Sequence, residues 1–137
     1  MTETLVSADA EVAVKDELNL RMPELDYSGE WGTRVPREPK PDEFGRVLNT
    51  GGGQRDLVTD SPTIVVEAFA TSETTAQRMC AFAVASLQSA GRAGSVGGIP
   101  CYGVSVLSLP ANLPMPSMPD RFRFTATLSV DLRRSAV

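Results

Sequence analysis

From Arg121 to Arg133 apolar and polar side chains alternate without a break: Phe122, Phe124, Ala126, Leu128, Val130 and Leu132 on one side, Arg121, Arg123, Thr125, Thr127, Ser129, Asp131 and Arg133 on the other. A period of two is that of a strand with one face in a core and the other wet or polar. At ~3.4 Å per residue such a strand reaches about 44 Å, whereas a globule of this length measures about 37 Å across. The strand is therefore expected to bend, or to carry one end out of the body as an unpaired edge needing cover.

A second run, Pro62 to Ala70, is rich in β-branched residues and bounded by Asp60 and Ser61, so it reads as a strand. The period then changes. Ser72 suits an N-cap and Glu73 a helix N-terminus, and Ala76, Met79, Cys80, Ala83, Leu87 and Ala90 form one helix face, with Gly91 as the expected C-terminal cap. A shorter helix is predicted over residues 7–19, capped by Ser7, with Ala10, Ala13, Val14 and Leu18 on one side. Phe44 to Thr50 and Cys101 to Leu109 complete the predicted strands, the latter with Tyr102, Val104 and Val106 in alternation. The fold class is α+β: an antiparallel sheet of about four strands with two helices packed on it, in a single domain over residues 1–137.

Between these elements lie irregular stretches. Residues 23–43 carry four prolines around a short extended piece from Trp31 to Val35, and Trp31 is expected as a core or rim plug rather than a partner contact. The loop Pro110–Pro119 also holds four prolines, which lower the entropy cost of ordering it on a partner, and Leu113, Met115 and Met118 would make it adhesive. The competing reading folds these three side chains back onto their own domain.

Composition narrows the chemistry. The chain has 137 residues, a net charge of −4, two cysteines and no histidine. Lack of histidine removes the usual general base and the commonest metal ligand, and acidity argues against a dedicated DNA-binding surface. Cys80 and Cys101 are expected as reduced thiols. No signal peptide is expected and no apolar run suits a membrane span, so a soluble protein is expected.

Candidate sites are few. Gly51-Gly52-Gly53-Gln54-Arg55 is followed by neither Lys-Ser nor Lys-Thr, so a positive-φ hairpin turn is a better account than a phosphate loop. Asp56, Asp60 and Glu67 do not have the spacing of a calcium loop. No catalytic residue, cofactor site or metal site is assigned. Arg46, Arg55, Arg121, Arg123, Arg133 and Arg134 are candidates for paired contacts across a subunit or partner boundary, with Asp60, Glu67 and Asp131 as their carboxylate partners, against the plainer reading as solvated charge.

The string from Phe44 to Ala70, in which an Arg46-Val47 strand runs into Thr50-Gly51-Gly52, followed by Arg55, Val58-Thr59-Asp60 and a strand ending Glu67-Ala68-Phe69-Ala70, resembles the tail terminator proteins of long, non-contractile-tailed phages of actinobacteria, which have a lambda-like tail terminator fold. Thr33-Arg34-Val35-Pro36 and Pro110-Ala111-Asn112-Leu113-Pro114 extend the resemblance. It implies a structural, non-enzymatic virion protein made in the host cytoplasm: a homohexameric ring at the head-proximal end of the tail. Such a ring ends polymerisation of the tail tube protein and meets a head-completion or stopper protein, while DNA passes through its lumen without specific binding. An acidic lumen is expected, since like charge lets DNA slide. A head-tail stopper or connector subunit and a small α+β ligand-binding domain are the alternatives.

Overall fold

The structure, a computed structural model, describes residues 3–25 and 29–137. In chain order it contains β1 (Leu5–Val6), α1 (Ala10–Arg21), a 3-10 turn (Met22–Leu25), β2 (Glu30–Gly32), β3 (Glu43–Gln54), β4 (Thr59–Ala70), α2 (Glu73–Ala93), β5 (Ser95–Val96), β6 (Ile99–Asn112), β7 (Phe122–Arg133) and β8 (Ser135–Ala136). Six strands form one sheet in the order β2-β3-β4-β7-β6-β5, and β1 pairs with β8 in a separate two-stranded sheet. The α+β class holds, with a larger sheet than the four strands expected. The additional strands are two or three residues long, too short to show a period in the sequence.

Two long antiparallel hairpins, β3–β4 and β6–β7, build the middle of the sheet, joined by antiparallel pairing of β4 with β7. Among the described residues only β2 runs parallel to its neighbour, β3. β7 is thus a central strand paired on both sides along its length, so of the two alternatives expected of it, a bend or a protruding end, the protruding end is not found. Its alternation survives: Phe124, Ala126, Leu128, Val130 and Leu132 are buried while Arg123, Thr125, Thr127, Ser129 and Asp131 are half-buried.

Both helices contribute to one core with the buried face of the sheet, in which Val14 and Leu18 of α1 and Met79, Cys80, Ala83 and Leu87 of α2 join Val47, Ile64, Val66, Leu128 and Val130. Among the described residues no helix is long and apolar enough to cross a membrane. Asp9, not Ser7, caps α1 by accepting from the Val12 N–H at 3.2 Å. Glu17, buried on α1, accepts from the Gly97 N–H at 3.0 Å and from Arg21, tying the helix to the β5–β6 turn. Ser72 caps α2 as expected, but the helix continues past Gly91 to a left-handed cap at Gly94, φ 100°. Gly91 is needed inside the helix, where a Cβ would lie 2.8 Å from Val104 of β6.

The glycine run also differs from expectation. β3 does not turn at Gly51 but passes through it to Gln54, shifting register between Asn49 and Gly52, and the turn proper is residues 55–58. Gly51 and Gly52 have φ of 114° and 96°, so positive φ is used for a bulge within the strand. Trp31 is 2% exposed and lies across Gly45 of β3, in agreement with a core role.

Both cysteines are free and buried, and burial pushes the Cys80 thiol up to about 12 and that of Cys101 upward. A raised pKa keeps the thiol protonated and poorly nucleophilic at neutral pH. Iodoacetamide followed by mass spectrometry is expected to leave Cys80 unmodified in the native chain and to alkylate it fully in urea.

Candidate functional site: the uncovered face of the sheet

The face of the sheet turned away from the helices has two parts. Toward the β6–β7 loop it is covered. Phe44 and Phe69 stack there at 4.8 Å with 15° between rings, and Met118, Val35 and Met115 pack on them. Arg121 holds this cover in place, donating to the carbonyls of Lys40 at 3.2 Å and Pro41 at 3.0 Å and pairing with Asp120 at 2.9 Å.

Beyond that cover the face is mixed: Leu48 and Val65, paired across β3 and β4 and half-buried, share it with charged and hydroxyl side chains. In its middle Glu67 of β4 sits between two arginines: Arg46 Nε of β3 lies 2.5 Å from Oε1 and Arg123 Nη1 of β7 lies 2.8 Å from Oε2. Cross-strand register puts Glu67 opposite Arg46, while Arg123, opposite Phe69, reaches it diagonally. Arg123 Nε also donates to the Leu113 carbonyl at 2.6 Å, so the β6–β7 loop is tied to the same cluster. The Glu67 side chain is 4% exposed, against 22% for Arg46 and 19% for Arg123. One buried carboxylate faces two guanidinium groups, and the cluster carries a net positive charge.

Farther along, Asp131 of β7 accepts from Ser61 at 2.6 Å and pairs with Arg55 at 3.2 Å. Thr125, Thr127 and Ser129 lie between these two clusters on β7. At the same end Arg134 binds the Leu5 carbonyl at 3.0 Å and the Leu57 carbonyl at 3.4 Å and approaches Asp60 at 3.7 Å. One side chain thereby joins the two-stranded terminal sheet to the β3–β4 tip. A cleft of ≈ 350 Å³ opens beside it, lined by Ser7, Gly51, Gly53, Asp60, Pro62 and Arg134 among others.

The candidate residues thus divide. Arg46 and Arg123 meet on Glu67, and Arg55 and Asp60 have partners in their own chain, so Asp60, Glu67 and Asp131 are not waiting for a neighbour's arginine. Arg121 is committed to the chain's own loops, and Met118, 6% exposed, is packed against Phe44 and Phe69 and offers no adhesive surface. Met115 is half-buried in the same cluster. Leu113 stays 50% exposed, and Arg133 is exposed at the end of β7.

Arg134, a candidate for a boundary contact in the sequence, is instead a hub within the chain, and sequence reasoning missed the exposed Tyr102, Leu107 and Leu109 of β6. The leucines did leave a signal, since the apolar phase slips from even to odd positions between Val106 and Leu107. Among the described residues no three His, Cys, Asp or Glu side chains are grouped as metal ligands. What the fold and this face define is an α+β domain with one helix-covered face and one face that its own loops cover only in part. Compared with protein-family models and with curated proteins, the chain finds no match.

Proposed function

We infer that the chain is a tail terminator subunit: a structural virion protein that assembles as a ring, proposed as a hexamer, on the head-proximal end of a phage tail tube. There it caps the last tube ring, stops addition of tube subunits and offers its outer surface to a head-completion protein. The observation that carries the assembly part of this reading is the sheet itself. Its two outermost sides, along β3 and along β6, both keep open strand edges, and unlike surfaces on opposite sides of one subunit join head-to-tail, which is how rings close. The tail-specific part rests on the Phe44 to Ala70 resemblance.

Capping by such a ring is mechanical rather than chemical. A growing tube presents unpaired groups at its end, and a subunit that satisfies them without presenting an equivalent new end halts growth. The open part of the sheet face, with its hydroxyls on β7 and its net positive Glu67 cluster, is a surface for protein contacts. In virions made without this chain, tails measured by electron microscopy are expected to vary in length and to lack heads. Tails of normal, uniform length joined to heads would refute the assignment.

A further inference from the structure

β6 closes one side of the sheet almost bare. β5 pairs only with Ile99 and Pro100, and among the described residues no strand covers the outer edge beyond them. Pro110 donates no N–H, which confines the usable edge to residues 101–109. Along that edge Tyr102, Leu107 and Leu109 are 52%, 59% and 73% exposed. Both leucines fall where β6 slips register against β7. A bulge re-aims side chains, and these two are left out of the chain's own core. A long open edge bearing apolar side chains is a template for another strand.

The opposite side of the sheet has a matching edge. β2 covers β3 only from Phe44 to Arg46, and β3 runs on to Gln54 with no outer strand among the described residues; the Asn49 N–H is taken by Glu11 at 2.7 Å and the Gly51 N–H by the Asn49 Oδ1 at 2.9 Å, which leaves the end around Gly53 as the open part. Gly53 lies in this stretch. It has no positive φ, and a Cβ there would meet nothing within 4 Å. Glycine weakens a strand, and in a strand it often marks where another backbone comes close. Neither conformation nor packing inside the chain calls for one at this position.

Charge differs between the two edges: the acids Glu11, on the Asn49 N–H, and Glu30 of β2 lie beside β3, whereas the base Arg92 lies beside β6. Arg92 of α2 borders Tyr102, Glu30 of β2 is exposed, and among the described residues neither has an ion-pair partner.

We propose that the open β6 edge of one copy docks strand to strand on the open β3 edge of a second copy, around Gly53, bringing Arg92 beside the β6 edge of one subunit toward Glu11 beside the β3 edge of the next. The two edges stand about 14 Å apart across the sheet, three strand spacings, so the contact is head-to-tail and repeats from copy to copy. It rests on the self-assembly in the function proposed above and assigns that assembly its surfaces.

Gly53→Val and the double variant Leu107→Ser/Leu109→Ser test it. Valine suits a strand and meets nothing at position 53, so the circular dichroism spectrum and melting temperature of that variant should match or slightly exceed those of the natural chain. Each variant should nevertheless weaken self-association, followed by sedimentation equilibrium, by about tenfold or more in Kd, and salt should weaken association of the natural chain. Association unchanged in both variants would mean that copies meet elsewhere, overturning this proposal while leaving the capping function standing. A natural chain that stays monomeric at every attainable concentration, free and on tail tubes, would overturn it too. If both variants block association but tails made without the chain are normal, the contact stands and the capping function falls.

Discussion

Replacing Glu67 with alanine is expected to lower the free energy of unfolding by about 3 kcal/mol, at the lower end of what removal of one partner from a buried ion pair costs. Among the described residues the carboxylate is the only acidic group holding Arg46 and Arg123, at 2.5 and 2.8 Å, and without it two like charges remain together in a partly desolvated place. About a fifth of each arginine side chain reaches solvent, which is why the lower end applies. Urea denaturation checks the value, and a loss under about 1 kcal/mol, the worth of a surface pair, would show that the cluster is solvated. A neutral replacement of all three, Arg46→Met/Glu67→Leu/Arg123→Met, should be milder than the single change, because no charge is left unpaired. Since Arg123 also holds the Leu113 carbonyl, the single variant should loosen the β6–β7 loop as well.

Gly45→Ala is expected to cost a similar amount. A methyl group at this position would fall within the Trp31 ring, and the ring has no room to retreat, being 2% exposed between β3 and α1, whose Asn19 side chain binds the Trp31 backbone at 2.8 and 2.9 Å. Overpacking of this kind costs about 1–3 kcal/mol, and a rigid planar neighbour puts this site near the upper value. Trp31 is the only tryptophan, so the displacement has its own signal. Native fluorescence emission should move to the red in the variant, and an unchanged maximum would contradict the described packing of β2 on β3.

Where the sequence spoke through a period, it spoke well. The alternation from Phe122 to Leu132 is that of β7, and the apolar spacing from Ala76 to Ala90 is the buried face of α2. Element ends were less legible. Gly91 looked like a cap because glycine ends helices, yet its role is close approach to Val104, a tertiary fact with no local mark. Gly51 and Gly52 looked like a hairpin turn because positive φ is needed there, yet bulges need it too, and only the register of β3 on β4 separates the two. β2 is three residues long and finds its place through Trp31 and Asn19, a match across twelve residues that no periodicity marks.

The site followed the same rule. Arginine, aspartate and glutamate on strands were visible as candidates, but which of them meet depended on the β4–β7 pairing, which joins positions more than fifty residues apart. That pairing turned Arg46, Glu67 and Arg123 into one cluster within the chain and took Asp60 and Asp131 as internal partners of Arg134 and Arg55. Met118 was ambiguous for a similar reason. A methionine in a proline-rich loop can face a partner or its own domain, and the stacked pair Phe44 and Phe69 supplied the apolar surface that draws it inward.

The central claim, that this chain acts by assembling on a tail tube and ending its growth, is tested most directly by polymerising purified tube protein with and without it and measuring tube lengths by electron microscopy. Short tubes bearing the labelled chain at one end only are the predicted result. Tubes of equal length in both samples, with the label absent or scattered along them, would contradict it.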